Sequence, residues 1–142
     1  MASVLVSAKG VLIDSDVLIW LMRGNTAAIA AINTLSAKRD WYISAVSYME
    51  LAQGCRNRIE LKAVQKAFKS GANDVLPITQ GISEMACSLV EKYSLSHSVH
   101  LADALIAATA MQHKLPLLSG NSKHFSAIEG LELRIFKPSI GV

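Results

Sequence analysis

The 142-residue sequence predicts an α/β domain whose central sheet is mostly parallel, five-stranded and covered by helices on both faces. Three observations predict it. Short apolar runs of strand length alternate with longer helical patterns from end to end. No linker, repeat or low-complexity stretch interrupts them, so residues 1–142 read as one domain. A chain of this length buries roughly 70% of the surface its unfolded form exposes, enough for a core without disulfide or metal staples. Alternation of this kind gives right-handed crossovers and parallel strands.

The first strand is Val11-Leu12-Ile13, and a helix running through Val17-Leu18-Ile19-Trp20 follows it. Gly24, Gly54 and Gly71 each follow a run of helix formers, where C-terminal caps belong. Ile29, Ile32 and Leu35 give the next helix its apolar face. Trp41-Tyr42-Ile43 is the second strand, and a short helix spans Val46-Ser47-Tyr48-Met49-Glu50-Leu51-Ala52. Beyond it, Arg58, Lys62, Lys66 and Lys69 form one helical stripe opposite Leu61, Val64 and Phe68. By itself that stripe is the solvated face of an amphipathic helix; with a polyanionic substrate it would also steer phosphates. Val75-Leu76-Pro77-Ile78 is the third run. Ile82, Met85, Ala86, Leu89, Val90 and Tyr93 repeat with a helical period. The helix from about His100 to His113 is apolar around most of its circumference and so is buried on more than one side. Leu117-Leu118 and Leu133-Arg134-Ile135-Phe136 complete the sheet.

Apolar residues make up 51% of the chain and charged ones 18%, with a formal charge of +3. Disorder is excluded by that content, and collagen-like classes by eight Gly and three Pro without a period. Mean hydropathy is +0.34, so either the core is large or apolar surface is shared with a partner. A membrane span from Val4 to Met22 fails on Lys9, Asp14 and Asp16, each costing about 2.5–3.5 kcal/mol at the centre of a helix in lipid, and on Gly10. No basic residue precedes Lys9 as a signal peptide requires, so the expected location is the cytoplasm. Cys55 and Cys87, neither in a Cys-x-x-Cys pair, read as reduced thiols.

In a parallel sheet the ligand site lies beyond the carboxyl ends of the strands, so polar residues there carry the chemistry. Seven of the eleven acids lie beside polar residues or on polar helical faces; Asp14, Asp16, Glu50 and Asp103 do not. Asp14 ends the first strand, where a buried carboxylate needs a partner. Asp16 stands where the next helix begins, as a helix cap or as a fourth member of the site. Glu50 lies in an apolar helical segment, and Asp103 in the first turn of the buried helix, where the dipole favours an anion. Two carboxylates about 4 Å apart repel by about 4 kcal/mol at an effective dielectric constant of about 20, so the cluster requires a cation or a shared proton. An all-oxygen site without Cys suits Mg²⁺ or Mn²⁺ better than Zn²⁺. Setting these four acids aside leaves a distinctly basic shell, suited to a polyanion and to an acidic inhibitor.

Four segments resemble the motifs of PIN domains, and within that superfamily of the VapC toxins of type II toxin-antitoxin pairs. Val11-Leu12-Ile13-Asp14-Ser15-Asp16-Val17-Leu18-Ile19 is similar to the first and Ile43 through Gly54, with Glu50, to the second. Leu101-Ala102-Asp103-Ala104-Leu105-Ile106-Ala107-Ala108-Thr109-Ala110 is similar to the third and Leu117-Leu118-Ser119-Gly120-Asn121-Ser122-Lys123-His124-Phe125 to the fourth. The resemblance implies a three-layer PIN-like fold and a Mg²⁺-dependent endoribonuclease, with Mn²⁺ as a substitute. It also implies an RNA substrate, a cognate antitoxin and a homodimer. Asp14, Glu50 and Asp103 would be catalytic metal ligands, and Ser15, Asp16, Ser119 and Asn121 supporting or phosphate-facing groups. Ser119 stands where Thr is usual. Asn121 and His124 stand where many relatives carry a fourth carboxylate, so one metal would be held firmly and a second only alongside substrate.

Three alternatives compete. Asp14-Ser15-Asp16-Val17 also resembles the nucleophile motif of haloacid-dehalogenase phosphatases, although no later acidic pair follows a Gly. His97, His100 and Asp103 recur every three residues as a transition-metal set would, but such steps fan across a helix by about 60° each, and residues 96–98 read as a loop. A catalytically silent PIN-like module holding a partner helix in an apolar groove would equally explain the apolar excess.

Overall fold

The computed structural model describes residues 10–38, 40–70 and 74–140. Five strands, β1 (Val11–Ile13), β2 (Trp41–Ser44), β3 (Asp74–Leu76), β4 (Leu117–Ser119) and β5 (Leu133–Ile135), form one sheet in the order β3-β2-β1-β4-β5. Every pairing is parallel, with Val11 opposite Trp41, Leu12 opposite Leu117, Tyr42 opposite Asp74 and Leu117 opposite Leu133. The helices are α1 (Ser15–Met22), α2 (Thr26–Lys38), α3 (Ala45–Gln53), α4 (Arg58–Ser70), α5 (Gln80–His97), α6 (Leu101–Gln112) and α7 (Ser122–Phe125).

Side-chain alternation along the strands sorts the apolar residues into two cores, one per face. Val11 and Ile13 point with Trp41 and Ile43 toward Val17, Leu18, Ile32 and Val64 of α1, α2 and α4. Leu12 and Leu117 point the other way, toward Ile82, Leu89 and Tyr93 of α5 and the alanine-rich α6. Helix α6 is sheathed as its apolar circumference predicts, with Ala104 and the whole run from Ile106 to Ala110 buried. Trp41, Tyr48 and Phe68 lock α3 and α4 to the sheet through edge-to-face ring contacts.

The structure departs from the sequence reading at several boundaries. The third strand starts one residue before its apolar run and stops at Leu76, because Pro77 has no N–H for the ladder, and Ile78 is left 38% exposed. β5 is an edge strand, with Arg134 and Ile135 exposed where a buried run was expected. Helix α5 continues through Ser96 and His97, so the loop before α6 is shorter than expected and turns on Ser98 at φ 54°. Gly24 follows α1 at φ +78° as a cap should, whereas Gly54 ends α3 in a right-handed conformation open to any residue, and Gly71 lies outside the described residues. Cys55 and Cys87 are free thiols, as expected, Cys55 half-buried and Cys87 exposed.

Helix α3 starts on a buried hydroxyl pair. Ser44 Oγ accepts the Ser47 N–H at 3.0 Å and donates to Ser47 Oγ at 3.1 Å. Ser44→Ala removes that cap and strands the second hydroxyl, so a loss of about 1–2 kcal/mol is expected in urea melts. An unchanged midpoint would show that Ser44 does not set the start of the helix.

Candidate active site

From β1 the chain moves outward through β2 to β3, then returns to the other side of β1 with β4 and β5. This reversal opens a crevice beyond the carboxyl ends of β1 and β4. Asp14 is the first residue after β1 and Ser119 the last of β4. Asp14 is 6% exposed and Ser119 fully buried. Asp14 Oδ1 accepts the Ser15 N–H at 2.8 Å and Oδ2 accepts the Ser119 hydroxyl at 2.8 Å. Ser15 Oγ in turn donates to Glu50 Oε1 at 3.0 Å, tying the acid of α3 to that of β1. Ser119 Oγ accepts the Asn121 N–H at 2.9 Å, which fixes the turn into α7. Both serines therefore spend their hydroxyls on the carboxylates.

Asp14, not Asp16, is the N-cap of α1, its backbone extended at φ −73°, ψ 154°. Asp16 lies in the first turn and performs a different task. Its Oδ2 accepts the Gly120 N–H at 2.9 Å, stapling the β4–α7 turn across to α1. Glycine permits this approach, since a Cβ at position 120 would sit 2.7 Å from that oxygen and 3.3 Å from the Phe136 carbonyl and would push the Asp16 carboxylate off the N–H. Asp16 Oδ1 is buried with no hydrogen-bond partner among the described residues. Burial pushes the Asp14 carboxyl up to about 7, with the Asp16 charge next in importance and Glu50 contributing less, against the lowering effect of its hydrogen bonds. Asp16 is also raised, chiefly by burial.

Asp103 sits in the first turn of α6, its side chain 14% exposed. Its Oδ2 accepts the His100 N–H at 3.0 Å and lies 3.0 Å from His124 Nδ1. Asn121 Nδ2 is 3.1 Å from the same nitrogen. A continuous path of polar contacts thus runs from Glu50 through Ser15, Asp14, Ser119, Asn121 and His124 to Asp103. Among the described residues no Lys or Arg pairs with Asp14, Asp16, Glu50 or Asp103.

Two expectations need correction. Glu50 is exposed rather than recessed, opening onto a cavity of about 440 Å³ that it shares with Arg23 and Arg56. The histidine partner of Asp103 is His124, which the sequence marked only as a departure from a motif. His97, which spacing grouped with Asp103, instead packs on Tyr93 at 5.9 Å and contacts Ser96 Oγ. The asparagine and histidine of α7 are three residues apart, a spacing that puts both on one side of a turn; the Asp103 contact is tertiary and leaves no local trace.

A parallel α/β sheet with three carboxylates that no Lys or Arg pairs with among the described residues, at the carboxyl end of β1 and on neighbouring helices, defines an acid-cluster protein with a site suited to a cation. The chain belongs to the PIN domain family, whose model matches residues 11–131. It is 38% identical over 127 residues to Ribonuclease VapC10 of Mycobacterium tuberculosis, covering 86% of this chain and 90% of that one. It is 32% identical over 133 residues to Ribonuclease VapC1 of Rickettsia felis, covering 87% and 94%. Among solved structures, a toxin-antitoxin complex from Klebsiella pneumoniae matches with a TM-score of 0.70 and 27% identity over 86% of this chain and 95% of that one. VapBC2 from Rickettsia felis, bound to a DNA fragment from its promoter, matches in fold at a TM-score of 0.75 and 16% identity, over 89% and 98%. The family assignment overturns the haloacid-dehalogenase alternative, in which Asp14 would be a nucleophile. No helix among the described residues is long and apolar enough to cross a membrane.

Proposed function

We propose that this protein is a cytoplasmic, metal-dependent endoribonuclease, the toxin of a toxin-antitoxin pair, with Asp14, Glu50 and Asp103 as its catalytic, metal-holding acids. The observation that carries this reading is the linked set of acids without a Lys or Arg counter-ion. The donor set fits a divalent cation: it is all oxygen at Asp14 and Glu50, and the buried Asp16 Oδ1 beside them has no hydrogen-bond partner among the described residues. Mg²⁺ suits these ligands, with Mn²⁺ as a substitute. When bound, such an ion supplies Lewis-acid polarisation of a phosphodiester and activation of water for its hydrolysis.

The chain's own residues do the positioning. Ser15 and Ser119 aim the Asp14 and Glu50 carboxylates, and Asp16 holds the Asn121-bearing turn against them. Arg23 lines the cavity beside Glu50, where it would meet a phosphate flanking the scissile one, while Arg56 in the same cavity is held by Glu60 at 2.7 Å. The exposed stripe of Arg58, Lys62 and Lys66 adds a basic surface along α4. Ile19, Met22 and Met49, 38%, 56% and 56% exposed, add apolar surface on the flanking helices α1 and α3. A cognate antitoxin and a second copy of the chain are the partners proposed, which accounts for the apolar excess. The relatives named ribonucleases and the toxin-antitoxin complex from Klebsiella pneumoniae support both parts of the reading.

The deciding assay incubates a structured RNA with the protein in Mg²⁺ or Mn²⁺, with and without EDTA. Cleavage is expected with either ion, and EDTA should abolish it reversibly. Cleavage that survives chelation would refute metal dependence. A folded protein that cuts nothing with either ion but captures the product of an adjacent small reading frame would be the silent binding module instead.

A further inference from the structure

We propose that His100, Asp103 and His124 form a binding site for a borderline transition-metal ion of the Zn²⁺ type, beside the acid pair of Asp14 and Glu50. It deepens the ribonuclease reading: Asp103 belongs to both sites, His124 stands where many relatives carry a fourth carboxylate, and His100 is new to the set. One ligand atom from each of the three residues lies within 4.8 Å of those of the other two. The tightest pair, His124 Nδ1 and Asp103 Oδ2, is at 3.0 Å, and the two imidazole rings are 5.3 Å apart at 63°. Ligand atoms in a tetrahedral site with bonds of about 2.0–2.2 Å stand roughly 3.3–3.6 Å apart. The remaining closure falls to the exposed His100 ring, whose backbone is already fixed through its N–H bond to Asp103.

Donor chemistry separates this site from its neighbour. Imidazole nitrogens favour Zn²⁺, Co²⁺ and Ni²⁺, whereas Mg²⁺ dehydrates reluctantly and prefers oxygen. Two histidines and one carboxylate also leave a fourth position open, as in sites where zinc binds water or substrate. Each element contributes for a local reason: His100 and Asp103 share the first turn of α6, and α7 swings His124 over them. The path through Asn121 and Ser119 joins this site to Asp14, so two adjacent sites would differ in the ions they select.

The test titrates Co²⁺ into the metal-free full-length chain and reads its visible absorption, in wild type, Asp14→Asn, His100→Ala and His124→Ala, with circular dichroism confirming the fold of each. One ion with tetrahedral bands is expected in wild type and Asp14→Asn, resisting a large excess of Mg²⁺, with affinity at least about tenfold weaker in each histidine variant. His100→Ala keeps the backbone N–H and alters an exposed side chain, so it decides the matter if His124→Ala fails to fold. Absent bands in wild type, bands unchanged in His100→Ala, or displacement by Mg²⁺ would each overturn the site. No RNA is involved, so failure of the ribonuclease reading would show separately in the cleavage assay.

Discussion

Asp14→Asn is expected to reduce RNA cleavage by at least about 10³-fold, roughly 4 kcal/mol of transition-state stabilisation, while the protein stays folded. The size of the effect follows from burial. Asp14 is the most enclosed of the proposed acids, so its charge is the least screened by water and the most effective toward a cation. Retention of the fold follows from shape. The asparagine oxygen can still accept the Ser15 N–H, and its amide can donate to Ser119 Oγ, which would accept it on its second lone pair beside the Asn121 N–H and give up its own donated bond. Glu50→Gln should cost less, because Glu50 is exposed and held by a single hydroxyl. Single-turnover rates measured in Mg²⁺ decide the question. A rate for Asp14→Asn within tenfold of wild type would remove Asp14 from the mechanism.

How much of this was legible in the sequence depended on whether the signal was local. The strands around Asp14 were legible because Val11-Leu12-Ile13 and Leu117-Leu118 are too short and too apolar for anything but buried strands, and the two-residue side-chain period then assigned them to two faces. Helix α6 was legible to within a residue because His100 and His113 bracket an unbroken apolar stretch. The capping role was assigned to Asp16, which stands where the helix begins, and none to Asp14, yet it is Asp14 that caps α1, because two acids at one strand-to-helix junction carry no local mark of which one turns back onto the helix. What decides between them is Gly120, a hundred residues away, whose N–H claims the Asp16 carboxylate. Glu50 read as recessed because its sequence neighbours are apolar, but a helical residue beside Leu51 can face the opposite way. The pairing of His124 with Asp103 is likewise tertiary. Motif resemblance supplied the acids and placed Ser15, Ser119 and Asn121 beside them; only the fold supplied the bonds that link them and the contact of His124 with Asp103.

Stability of the metal-free protein should fall as the pH rises from about 5 to about 8, the reverse of the usual behaviour of a paired carboxylate. In the folded state Asp14 titrates at about 7, against 3.8 for the free side chain, because burial and the Asp16 charge disfavour its ionised form. Between those values the native protein holds a proton that the unfolded chain has released. The unfolded state therefore binds fewer protons, and the unfolding free energy decreases with pH across the window. Over that window the loss from Asp14 is at most about 3 kcal/mol, at about 1.36 kcal/mol per pH unit between about 5 and about 7, and Asp16, raised chiefly by burial, adds to it. For a domain of this size each kcal/mol moves the melting temperature by roughly 3–5 °C, so a drop near 10 °C is within reach of calorimetry. Asp14→Asn has no carboxyl to ionise and should flatten most of the slope, leaving the variant more stable than wild type at about pH 8. Saturating Mg²⁺ should flatten the wild-type slope as well, because a cation that binds the ionised site stabilises the state that high pH otherwise penalises. The same carboxylate would then destabilise the empty protein and hold the ion in the loaded one. A metal-free melting temperature that rises over this window would show instead that Asp14 is satisfied by Ser15 and Ser119 alone.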